Sequence, residues 1–91
     1  MTLYNAAITL GTAAQVVVPG GTSPVKVYLH NMEHASSRFI HLGGSGITTA
    51  NSLHLDPSAT VNLVLNRTEA LYALSDPDGC VLGILYQTMD E

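Results

Sequence analysis

Basic residues are almost missing. Lys26, Arg38 and Arg67 are the only three in 91 residues, against seven acidic ones, for a formal charge of −4. Gripping nucleic acid needs several clustered cations to displace phosphate counterions, and attachment to an anionic membrane needs the same. The composition therefore argues for no nucleic acid and no membrane among the partners. The single cysteine, Cys80, excludes an internal disulfide framework. Within "GCVLGILY" it reads as a small buried hydrophobe, because no cation lies close in sequence to activate a thiol. No run approaches the roughly 18 apolar residues of a transmembrane helix. The opening "MTLYNAAITLG" lacks the basic start of a secretory signal, which makes the sequon "NRT" at Asn66 a coincidence.

Charge of either sign is also scarce. Charged residues make up 11% of the chain, where a soluble domain averages about 25%, and hydrophobic residues make up 46%. A chain this short forms one domain, 1–91, and buries only about 60–65% of its unfolded surface. The surplus apolar surface implies cover by copies of itself or by another protein.

What is present is alternation of period two. "VKVYLH" sets Val25, Val27 and Leu29 against Lys26, Tyr28 and His30; "RFIHL" sets Ile40 and Leu42 against Phe39 and His41. "TVNLVL" sets Val61, Leu63 and Leu65 against Thr60, Asn62 and Val64. Successive side chains of a strand point to opposite faces, so each run reads as a half-buried strand. Turn signals separate the runs. "VVVPGGTSP" closes one strand and opens the next, and "LDPSATV" and "LSDPDGC" each carry Asp-Pro. In the second, Pro77 suits a type I turn and Gly79 the left-handed position after it. "LNRTEALYAL" reads as a loop leading into a strand at Leu71, because its flanking strands are too close for a helix. In "CVLGILYQTM" both faces are apolar, which predicts cover on both sides, one from the core and one from a neighbouring subunit. The spacing predicts strands near 6–10, 14–18, 25–31, 38–43, 52–56, 60–65, 71–75 and 80–88, with almost no helix. The fold class is all-β: a small antiparallel β-sandwich or jelly-roll-like barrel of about seven to eight strands.

Sites for chemistry are poorly supported. "GGSGITT" lacks the third glycine of a dinucleotide fingerprint and the lysine of a P-loop, and no helix follows, so it reads as a turn between strands. His30, His34, His41 and His54 do not show zinc-ligand spacing; His41 and His54 fall at outward positions of adjacent strands and pair across a sheet at most. No G-x-S-x-G elbow occurs, and Asp56, Asp76 and Asp78 lie in turns that aspartate stabilises. "DPDG" is too short for a calcium loop. The expectation is no catalytic residue, no cofactor and no metal.

Leu29-His30-Asn31, Leu42-Gly43-Gly44-Ser45 with Ile47-Thr48-Thr49, then Asn51, Leu53, Leu55 and Leu71-Tyr72-Ala73 with Ser75 form a pattern over about 65 of the 91 residues. This pattern resembles small virion proteins of tailed bacteriophages, with a strand ending in "LHN", a glycine-threonine turn and a closing "LYAxS". Gly46 stands where an acidic residue is common, and Ser52 where glycine is usual. The resemblance implies a β-sandwich minor capsid or head decoration protein that stabilises the major capsid shell. It would bind the major capsid protein and its own copies, as a trimer at a three-fold site. It implies residence on the virion surface after synthesis in the host cytoplasm. Tail, neck or fibre-base placement is the alternative. Other classes are a cupin-like enzyme holding metal on inward His41 and His54, and a carbohydrate-binding module. Candidate interface residues are the aromatics Tyr4, Tyr28, Phe39, Tyr72 and Tyr86. The first ten residues, Met1 to Leu10, are a candidate arm for a neighbour's open sheet edge.

Overall fold

Alternating apolar residues need two sheets to bury them, and the computed structural model, which describes residues 3–89, supplies two. Eight strands run in order: β1 (Leu3–Thr9), β2 (Gln15–Val18), β3 (Val25–Asn31), β4 (Phe39–Gly43), β5 (Leu53–Leu55), β6 (Thr60–Leu65), β7 (Leu71–Asp76) and β8 (Val81–Thr88). Every pairing is antiparallel. Sheet I has the order β1-β8-β3-β6 and sheet II the order β2-β7-β4-β5. The chain thus crosses between sheets at most connections, which is the jelly-roll arrangement. Among the described residues there is no helix.

The core lies between the sheets. Val27, Leu29, Leu82 and Ile84 from sheet I meet Ile40, Leu42, Leu55, Leu71 and Ala73 from sheet II, and Cys80 is enclosed with them. Val27, Leu29, Ile40 and Leu42 are positions that alternation assigned to the apolar face. In β2 the alternation fails. A register shift between Val16 and Val18 turns both Val17 and Val18 inward and leaves Val16 exposed, because a bulge adds a residue to one strand only.

Asn31 ties the two sheets together. It is wholly buried at the end of β3; its Nδ2 donates to the carbonyls of Arg38 (3.0 Å) and Leu55 (3.1 Å), and its Oδ1 accepts from the Glu33 amide (3.0 Å). Glu33 in turn binds Arg38 Nε at 2.7 Å and the Val81 amide at 3.0 Å. Ser75 plays the same part on β7, its Oγ donating to the Leu10 carbonyl at 3.0 Å. Buried polar groups persist in a core only when satisfied in this way.

Two sequence expectations change. Seven residues of the proposed N-terminal arm, Leu3–Thr9, pair with β8 along their whole length, while Met1 and Thr2 lie outside the described residues. The Asp76–Pro77 peptide is cis rather than the trans bond of a Pro-initiated type I turn, an option open to prolyl bonds alone at small cost; Gly79 does adopt a left-handed φ of 94°. On the outer face of β8, Met32 Sδ lies 3.2 Å from where a Cβ on Gly83 would stand, while Leu85 stays exposed.

Candidate functional site

The two outer faces follow the same alternation and end differently. On sheet I the outer face holds Leu3, Leu85, Tyr28 and Val64, in the neighbouring rows Leu3-Gln87-Lys26-Val64 and Asn5-Leu85-Tyr28-Asn62. All four are substantially exposed, from 38% for Tyr28 and Leu85 to 62% for Leu3. Met32 joins them, and a shallow groove of about 350 Å³ runs over Gly83 between Asn5, Tyr28 and Leu85. The one charge on these rows is Lys26, whose Nζ sits 5.5 Å above the Tyr28 ring.

On sheet II the outward residues His41 and Leu74 are 5% and 3% exposed, as buried as core side chains. They stand opposite each other in the β4–β7 register. His41 also faces His54 across β4–β5, with ring centres 5.0 Å apart, and His54 packs on Phe39 at 4.5 Å. In Ser52-Leu53-His54-Leu55-Asp56 alternation aims the three polar side chains to one face. Ser52 Oγ lies 2.8 Å from His41 Nδ1, and Asp56 Oδ1 lies 3.0 Å from His54 Nδ1. Burial of the ring holds the His41 pKa below the usual imidazole value; neighbouring His54 adds to that, and Asp76 opposes it.

The five candidate aromatics occupy separate places. Tyr4 and Tyr86 stack at 4.9 Å where β1 and β8 pair, beside a cleft shared with Asn66 and Glu69. Tyr28 is on the outer face of sheet I, whereas Phe39 and Tyr72 are on that of sheet II. The largest exposed side chains are mostly aliphatic: Leu3, Val16, Leu53 and Val64. Aromatic preference passed over them, although alternation had already put Val64 and Leu85 outward.

The glycine loop follows β4 without any strand-to-helix phosphate cradle. A Cβ on Gly43 would collide with the Ile47 side chain, so glycine is needed there for the close approach. Gly43 and Gly44 border an apolar gap of about 410 Å³ between the β5 and β6 edges, lined by Leu42, Leu53, Leu63 and Leu65. β5 has three residues and β6 has six, which leaves part of the β6 inner face uncovered.

Three histidines meet hydroxyls: His30 with Thr60 at 3.0 Å, His34 with Ser58 at 2.8 Å and His41 with Ser52 at 2.8 Å. In none of these pairs does a carboxylate engage the second ring nitrogen, the connection a Ser-His-Asp relay requires. No group of three or more His, Cys, Asp or Glu residues converges as a metal cage among the described residues. His41 and His54 lie outside the sandwich, which removes the inward metal of a cupin-like enzyme. Burial pushes the Cys80 thiol above its usual pKa, away from nucleophilic use.

No protein-family model matches the chain, and no curated protein matches it significantly in sequence. Among solved structures it is similar to a subunit of Bacillus endospore appendages, described as a novel family of disulfide-linked pili. The TM-score is 0.57 at 8% identity, covering 98% of this chain and 87% of that one. A second similar structure is PliG of Aeromonas hydrophila, a periplasmic inhibitor of g-type lysozyme, with a TM-score of 0.43 at 9% identity, covering 97% of this chain and 85% of that one. At these identities the first likeness is one of fold.

Proposed function

We propose that the protein is a non-enzymatic structural subunit that works by being buried in an assembly, and more narrowly that it is a head decoration protein of a tailed phage. The observation that carries this reading is the state of the sheet edges. The sheet I edge strands β1 and β6, seven and six residues long, contain no charged residue and no proline, two of the devices that keep strand edges from pairing with other chains, whereas the sheet II edges are blunted by the bulge in β2 and the three-residue length of β5. Each edge also exposes a large aliphatic side chain: Leu3, Val64, Val16 and Leu53. The resemblance to phage virion proteins supports the narrower form, since its Asn31, Gly43 and Ser75 are the residues that hold this fold's loops and core. The likeness to an appendage subunit supports the broader form. Those pili are disulfide-linked; Cys80, the one cysteine in these 91 residues, is fully buried and so is not placed to make such a link.

A subunit seated across the seams of a capsid shell adds apolar contact that opposes outward pressure from packaged DNA. Because it binds the expanded shell preferentially, mass action stabilises that state. A trimer of this subunit on a three-fold axis matches the symmetry of such seams. The test is size-exclusion chromatography with light scattering, with and without empty shells. An oligomer that co-elutes with shells and raises their melting temperature supports decoration. A monomer that passes the shells by sends the protein to the tail, the neck or a fibre base.

A further inference from the structure

Cross-strand His41 and His54 form a site that the assembly reading does not use. The His54 ring packs on Phe39 and faces His41, and each Nδ1 is already engaged, by Ser52 Oγ at 2.8 Å for His41 and by Asp56 Oδ1 at 3.0 Å for His54. A carboxylate only accepts, so the His54 Nδ1 carries the proton and its Nε2 offers a lone pair. The His41 residue is 95% buried by its 5% exposure, and its Nε2 has no hydrogen-bond partner among the described residues. No fully buried side-chain nitrogen or oxygen there lacks a partner, so this nitrogen touches solvent. Two imidazoles thus present unused Nε2 atoms while their Nδ1 atoms are oriented from behind, the outer-sphere arrangement typical of metal-binding histidines.

The ring-centre separation matches that of two imidazoles sharing one ion. With metal–nitrogen distances of about 2.0–2.1 Å, each ring centre lies about 3.2 Å from the metal, and two imidazoles on a tetrahedral ion have centres about 5.2 Å apart. The observed separation is 5.0 Å. We infer that His41 and His54 form a two-imidazole surface site for a late first-row divalent cation, with water in the remaining positions. Imidazole selects copper, nickel and zinc over magnesium and calcium, and copper binds tightest in that series. Among the described residues no third histidine, cysteine or carboxylate joins the pair, so the affinity falls well short of a structural zinc site.

Calorimetric titration of chelator-treated full-length protein with CuCl2 and ZnCl2 tests the assignment, with copper electron paramagnetic resonance as the second readout. The expected result is one saturable equivalent, copper tighter than zinc, with two nitrogen couplings on the copper. His54 is exposed, so His54→Gln leaves the fold in place, as its melting temperature will verify. It is expected to lose one coupling and at least about tenfold in affinity, since even outer-sphere changes cost about 10- to 100-fold. His34→Gln, on the β3–β4 loop, is expected to bind as the unmodified chain does. Absence of saturable binding, unchanged binding by His54→Gln, or loss of binding in His34→Gln would each overturn the site.

Discussion

The outer face of sheet I is open and aliphatic, while the outer face of sheet II has closed over itself. Leu85 and Leu74 show the contrast: both are outward leucines in interior strands, yet one is 38% exposed and the other 3%. The difference comes from the company each keeps. Leu85 faces Tyr28 on β3 and Asn5 on β1, with Gly83 two residues along its own strand, and Tyr28 is itself 38% exposed. Opposite Leu74 stands His41, which is itself locked against His54, Phe39 and Ser52. A sheet face seals where cross-strand side chains are locked by further contacts, as His41 is by Ser52 and His54, and stays open where a pair such as Leu85 and Tyr28 has a glycine beside it.

The largest expected effect breaks the tie between the sheets. Asn31→Ala removes all of its side-chain hydrogen bonds and strands buried backbone carbonyls, for a loss of about 3 kcal/mol in urea denaturation. Next comes the contrast itself. Leu74→Ala should cost about 2–3 kcal/mol, as a core residue does, while Leu85→Ala should cost about 0.5 kcal/mol. Equal losses at the two sites would erase the distinction between a sealed and an open face.

Acid should weaken the sealed side first. Folding holds the His41 pKa down, so below about pH 6.5 the unfolded chain binds a proton that the folded chain refuses, and stability falls. Glu33, held below the usual carboxylate value chiefly by the Val81 amide and also by Arg38, adds a loss of the same sign below about pH 4.3. Melting temperatures measured in chelator between about pH 4 and pH 8 should therefore decline on acidification, and His41→Gln should remove the upper limb. The smallest effect on stability belongs to the open side. Val64→Lys on the β6 edge should change unfolding by less than about 0.5 kcal/mol while abolishing the proposed self-association, with light scattering as the measurement.

Much of this was legible in the residues. The spacing predicted all eight strands to within a few positions, because alternation and turn chemistry are local properties. The bulge at Val17 was not legible, since two adjacent inward valines look the same as one inward and one outward until a partner strand is present. The interface candidates were chosen as aromatics, a chemical preference that carries no position. The fold distributed them over three surfaces and left aliphatic Leu3, Val16, Leu53 and Val64 as the most exposed large side chains.

By itself the sequence determined the strands, their faces, the inward apolar set and the outward placement of His41 and His54, because each follows from a two-residue period. Only the tertiary structure decided which strands became neighbours, which edges stayed open, and that one outward face would bury a histidine and a leucine. Those outcomes rest on contacts between residues far apart in the chain, such as Leu3 with Gln87 and Ser75 with Leu10, and no local pattern encodes them.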